Sequence, residues 1–242
     1  MIRGENAVRG PSWGPGQGFD RLRSCRRDDT GAAAVEFALV ALLLFSLLMG
    51  IIEVTLLLRD NVSVSSAVRT GARIASAEAG EGPGTCPTGS TTCVPANVPK
   101  LAQDAANAIQ KAGTAMPQDA IDAIWVYKAN SNGWPGNGTK LSDSSCTSAN
   151  NCVILTWNKT ANKFEYNSGG WVSTTIAACA GTNSDGSSKA DSVGVLMKAT
   201  HKFLFGLFGT TLAMSDRAVM QFEPLSTDTC QANKPIGGGG HK

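Results

Sequence analysis

Histidine is scarce in this sequence: His201 and His241 are the two in 242 residues. With so few, and with no His/Cys/Asp spacing of the kind that holds zinc, the sequence offers no metal centre. There is no glycine-rich phosphate loop, no nucleophile elbow and no base beside a nucleophile. Asp119 and Asp122 are close in sequence, but a solvated strand entry accounts for them. His201 reads as a polar strand-end residue, and His241 lies in the flexible ending "GGGGHK". No cofactor and no enzymatic activity are expected. Charge of one sign is also nearly absent, at a formal net +2. Six arginines (Arg3, Arg9, Arg21, Arg23, Arg26, Arg27) against four acids before Gly31 account for that whole excess. The remainder is neutral, which excludes the basic footprint of a nucleic-acid binder.

Proline is missing from one further place, the apolar run from Ala32 to Leu58. As an unbroken helix this run spans about 40 Å, enough to cross a bilayer core of about 30 Å with some tilt. It exceeds the apolar core of about 7–15 residues in a cleaved secretory signal. The arginines before it place residues 1–31, a disordered leader, in the cytoplasm, and everything after Leu58 outside. Two carboxylates sit in this run, Glu36 near its start and Glu53 near its end. Each costs a few kcal/mol or more in lipid unless it finds a partner or reaches water. Both are close enough to an interface to snorkel.

The helix is expected to continue through 59–79. Val64, Ala67, Val68, Gly71, Ala72 and Ala75 form one helical stripe of small residues, suited to close contact with another backbone. Arg59, Ser63, Ser66, Thr70 and Arg73 lie on the other side. "GEGPG" at 80–84 ends the helix and opens a loop over 80–98. A second helix carries Leu101, Ala105, Ala108, Ile109 and Ala112 on one face, between Pro99 and Gly113. Strands follow at Ile121–Ala129 and Cys152–Trp157, and a short one at Phe164–Tyr166 pairs with Val172–Thr175 across "NSGG". Two more strands alternate clearly, around Val193–Ala199 and Ala218–Phe222, as in a sheet with one buried face. The loops at 130–151 and 178–191 are polar and expected to be mobile. The fold class is therefore α+β. A long N-terminal transmembrane helix extends outward and leads into a small extracytoplasmic domain at 99–226, whose antiparallel sheet packs on a helix. A flexible tail occupies 227–242.

Cys25 falls on the cytoplasmic side. Cys86, Cys93, Cys146, Cys152, Cys179 and Cys230 fall outside, where an even number reads as disulfides. We favour Cys86–Cys93, Cys146–Cys152 and Cys179–Cys230, since the first two close short loops in polar segments; free or partly reduced thiols are the alternative. "FLFGLFGT" at 203–210 has two readings. Either its phenylalanines cover the core, or it is an exposed apolar patch that meets a partner or the membrane surface.

The segment "GAAAVEFALVALLLFSLLMGIIEVTLLLRDNVSVSSAVRTGARIAS" resembles the TadE family, minor pilins or pseudopilins of the tight-adherence (Flp) pilus apparatus. The residues that carry the likeness are Gly31, Glu36 and Phe37 in a Gly-x4-Glu-Phe arrangement, the apolar run, "GIIE" at 50–53 and "AVRTGAR" at 67–73. The ending "LAMSDRAVMQFEP" adds to it more weakly. The resemblance implies a pilin-like protein, cut by a prepilin peptidase between Gly31 and Ala32. Glu36 would then pair with the new amine of a neighbour's Ala32, with Phe37 beside it in the subunit packing. It implies the bilayer, other pilins or pseudopilins and Tad-type assembly proteins as partners, and the cell (inner) membrane or a surface pilus as location. The competing reading is a single-pass anchored adhesion or ligand-binding protein, in which the helix is only an anchor.

Overall fold

A computed structural model describes residues 29–140, 145–179, 190–206 and 208–225. Most of the leader with Cys25, the tail with Cys230 and His241, and most of the 178–191 loop lie outside the described residues. The backbone divides into two compact units, Met1–Leu47 and Leu48–Lys242. What is described of the first is helix throughout, with nearly every side chain exposed from Gly31 to Leu47.

One helix, α1, runs from Asp29 to Ala77. With no proline inside it, its N–H to C=O ladder is unbroken. The second helix, α2, runs from Lys100 to Ala112 and stops at Gly113, whose φ of 76° suits glycine. Leu101, Ala102, Ala105, Ala106 and Ile109 are its buried face, the spacing of an amphipathic helix lying on a core.

Five antiparallel strands complete the second unit: β1 (Ile121–Ala129), β2 (Cys152–Asn158), β3 (Lys163–Gly170), β4 (Ser192–Lys202) and β5 (Thr211–Gln221). Their order across the sheet is β3-β2-β1-β4-β5. Ile124 and Val126 of β1, Val153 and Leu155 of β2, and Val193, Val195 and Met197 of β4 share one core with α2 and with Val64–Ala79. This is the α+β arrangement expected, a sheet packed on helix.

The opposite face of the sheet is covered as well. Trp125, Tyr127, Ile154 and Leu196 cluster there with Trp134 and the Cys146–Cys152 bridge. A sheet with a single buried face was expected, along with a mobile loop at 130–151. Instead the described parts of that loop are tied down. The Asn130 side chain donates to the Gly136 and Gly138 carbonyls at 2.8 Å each, Tyr127 donates to the Gly133 carbonyl, and the Arg217 guanidinium lies 3.8 Å from the centre of the Trp134 ring. Burial raises the pKa of the Tyr127 phenol against the opposing charge of Arg217. Gly194 stands opposite Tyr127 in the β1–β4 register, and a Cβ there would collide with the tyrosine ring.

The hairpin expected between Phe164–Tyr166 and Val172–Thr175 does not form. β3 runs straight through "NSGG" and pairs with β2, while Ser173–Thr175 is a short 3-10 turn. The reversal lies earlier. The Asn158 carboxamide oxygen accepts from the N–H groups of Thr160 and Ala161, and Asn162 takes a left-handed φ of 50°. β4 and β5 also extend further toward their connection than their alternation alone indicated. Two bridges are closed, Cys86–Cys93 and Cys146–Cys152. Cys179 is also disulfide-bonded, and Cys230, expected as its partner, is outside the described residues.

Just past α1, Glu78 faces Asp104 of α2. Its pKa is pushed up to about 7, first by burial, then by a hydrogen bond to Asp104 and repulsion from it, with Lys100 pulling the other way. A carboxyl that binds its proton more tightly folded than unfolded stabilises fully below its ordinary value. That contribution is lost as pH rises through about 7. Glu78→Gln should therefore flatten the fall in stability between pH 5 and pH 8, measured by thermal unfolding at each pH. At the centre of the sheet, Gly194→Ala should destabilise by about 1–3 kcal/mol through overpacking against Tyr127, seen as a lowered midpoint in the same assay.

Candidate membrane-proximal and assembly site

α1 sets out two surfaces in order. From Val35 to Leu58 most of its large apolar side chains are exposed, among them Phe37, Leu44, Phe45, Ile51 and Leu58. Such a surface has no partner in water, and the helix is long and apolar enough to cross a membrane. Glu36 is exposed on this stretch and has no hydrogen-bond or ion-pair partner among the described residues. Gly31 and Ala32 are exposed at its start.

The second surface begins inside the apolar run, at Glu53. This residue was expected to snorkel to the outer interface. It is instead 1% exposed. Its Oε1 accepts the backbone N–H groups of Phe205, at 2.5 Å, and Gly206, at 3.0 Å, in the β4–β5 connection. Oε2 is buried without a hydrogen-bond donor. Two turns on, Asp60 and His201 are both buried, with Asp60 Oδ2 2.7 Å from His201 Nδ1. His201 is a strand-end residue, as expected, but a buried one that ties the end of β4 to α1. Arg59 lies beside Asp60 at 3.2 Å and donates to the Ala115 carbonyl, and the Ser63 hydroxyl accepts the Ala115 N–H at 2.7 Å.

Val64, Ala67, Val68, Gly71, Ala72 and Ala75 are all buried. Their contact is with the chain's own α2 and sheet. A Cβ at Gly71 would lie 2.8 Å from Ile109 Cδ1, so glycine there lets α1 and α2 approach closely. The stripe is therefore occupied within one copy of the chain. Glu53, half-buried Leu57, Asp60 and Val64 continue the same face backward at steps of four, three and four. Sequence reasoning treated Glu53 and the stripe separately. Extending the stripe by further helical turns into the apolar run was the signal that joins them.

The β4–β5 connection does not cover the core. Leu204 is 67% exposed, Phe205 48% and Phe208 61%. Among its described residues Phe203 alone turns inward, 5.0 Å from His201 and 6.2 Å from Phe208 between ring centres. Among the described residues no group of His, Cys, Asp and Glu is arranged to hold a metal ion.

An apolar helix able to span a bilayer, passing without a break into a disulfide-stapled α+β domain, is the build of a helix-anchored membrane protein. The family model described as TadE-like protein matches residues 31–73, so the TadE-like resemblance of this segment holds and points to a membrane protein related to the Tad pilus. The match takes in Gly31, Glu36, Phe37, Glu53 and Asp60 and ends within the stripe. No curated protein and no solved structure matches the chain.

Glu53→Ala removes the acceptor of two backbone N–H groups, which should cost about 1–3 kcal/mol. Hydrogen–deuterium exchange across 203–210 should accelerate in that variant while exchange in β1 stays as in the unaltered chain. Glu53→Gln keeps one acceptor oxygen and should lie between the two.

Proposed function

We propose that this chain is a non-enzymatic TadE-like minor pilin or pseudopilin, taking part in assembly of a tight-adherence type IV-like pilus or related secretion apparatus. The observation that carries this reading is the TadE-like match over 31–73, which begins at Gly31 and includes the only exposed carboxylate of the apolar run, Glu36. TadE-like proteins are not an enzyme family, in keeping with a sequence in which no nucleophile and base can be nominated. Residues 1–31 form a cytoplasmic leader, 32–58 cross the inner membrane, and the domain lies outside. A prepilin peptidase cuts between Gly31 and Ala32. The Ala32 amine is then a cation at the start of the helix, and Glu36 with Phe37 meets it from a neighbouring subunit. Pairing two charges inside lipid offsets the desolvation that each would suffer alone.

The reading in which α1 only anchors a surface domain has one observation in its favour. The small-residue stripe is taken up within the chain and so does not call for another pilin. Two measurements separate the readings. Intact-mass analysis of the protein from its native membrane should give a chain beginning at Ala32. Glu36→Gln should insert as well as the unaltered chain but recover markedly less of its pilin and Tad-type partners on co-purification. An uncut chain, together with equal partner recovery from both forms, would leave the anchor reading standing.

A further inference from the structure

The exposed apolar residues of the β4–β5 connection are close to a particular point on α1. Glu53 holds Phe205 and Gly206 by their N–H groups, and Glu53 lies five residues before the end of the apolar run at Leu58. At 1.5 Å per residue that is about 8 Å inside the run. Around Glu53 the helix presents Ile51, Ile52, Val54 and Leu58 outward. Leu204, Phe205 and Phe208 therefore continue an apolar surface that α1 already carries.

We propose that the tip of the β4–β5 hairpin is a second membrane contact, which dips into the headgroup–acyl boundary of the outer leaflet beside α1. The inference rests on the reading that α1 crosses the bilayer. Three features fit lipid as the occupant. No charged residue occurs between Lys202 and Asp216, so the tip carries no group that must be dragged out of water. Four of its backbone N–H groups are provided for: Phe205 and Gly206 donate to Glu53, Phe203 donates to the Thr210 carbonyl and Gly209 to the Gly206 carbonyl. Non-helical backbone at membrane depth requires such partners, because no water is there to supply them. Finally, Arg59 and Lys202 line one groove with Leu204, and both are exposed. They stand where lipid phosphates would meet the base of an inserted tip. A buried carboxylate aimed at a loop is then an economical device, since it occupies the N–H groups that lipid would leave unpaired.

Full-length protein with Cys25→Ser, carrying one nitroxide-labelled cysteine at a time, is reconstituted into phosphatidylethanolamine–phosphatidylglycerol vesicles. The labelled sites are Phe208→Cys, Leu204→Cys, Leu44→Cys within the apolar run, and Ala161→Cys on the exposed β2–β3 turn. Collision with oxygen and with a water-soluble nickel chelate is read by electron paramagnetic resonance. The tip labels should fall between the two reference sites, with an oxygen-to-nickel ratio several-fold above that of Ala161→Cys and below that of the deeper Leu44→Cys. Tip labels that match Ala161→Cys while Leu44→Cys stays in lipid would overturn the inserted tip and leave the spanning helix intact. Tip labels shielded from both reagents would show that protein covers the tip, and would overturn the proposal equally. A Leu44→Cys label open to nickel would remove the spanning helix and the inserted tip together.

Discussion

A single helix face, from Glu53 to Ala75, is the constraint on which the rest of this structure depends. Along it α1 must satisfy two different environments without a break in its backbone. At its outer end the requirement is volume, and Gly71, Ala72 and Ala75 meet it by letting α2 come close. Nearer the apolar run the requirement is polar pairing, and Asp60 and Glu53 meet it by holding His201 and the backbone of 205–206. Breaking a buried pair by removing one partner is costly because the other is left uncompensated. The face therefore fixes both the position of the sheet's β4 end and the register in which α1 enters the domain.

The order of elements was legible in the sequence where periodicity was strong. β1 and α2 fall within a residue of their expected ends, since α2 is a periodic pattern bounded by Pro99 and Gly113 and β1 is an unbroken run rich in β-formers. The expected strand at Val172–Thr175 was not found, because "NSGG" looks like a turn. Its glycines instead let β3 pass close to β2, Gly169 at a φ of 84°, and the true turn was set by an asparagine side chain. The covered second face of the sheet was hidden for another reason. Its cover is a polar loop whose described residues bring Trp134 and Cys146 to the cluster, and a loop's own hydrogen bonds leave no periodic trace. The two apolar-run carboxylates looked alike in sequence, each a charge near an interface. They differ in what the chain brings to them from far away, 152 residues on in the case of Glu53, and local pattern carries no information about that.

The site drawn by this face is one of attachment and packing. Polar and charged groups here are joined to backbone and to one another in ways that fix geometry: Glu53 to two amides, Asp60 to an imidazole, Ser63 and Arg59 to the peptide of Ala115. Glu36 differs from them. It lies on the exposed part of α1, within the TadE-like segment, and its partner on the reading given above comes from another molecule.

The burial of Val64–Ala75 also has a mechanical meaning. In many anchored proteins a slack peptide joins the span to its domain, and tension straightens that peptide before anything else gives. From Leu48 onward this chain has no such slack before its core. Load arriving along α1 passes through side chains that are 0–2% exposed directly into α2 and the sheet, in shear across many contacts at once. The domain would resist a steady pull as a unit, up to the force at which that whole interface slides.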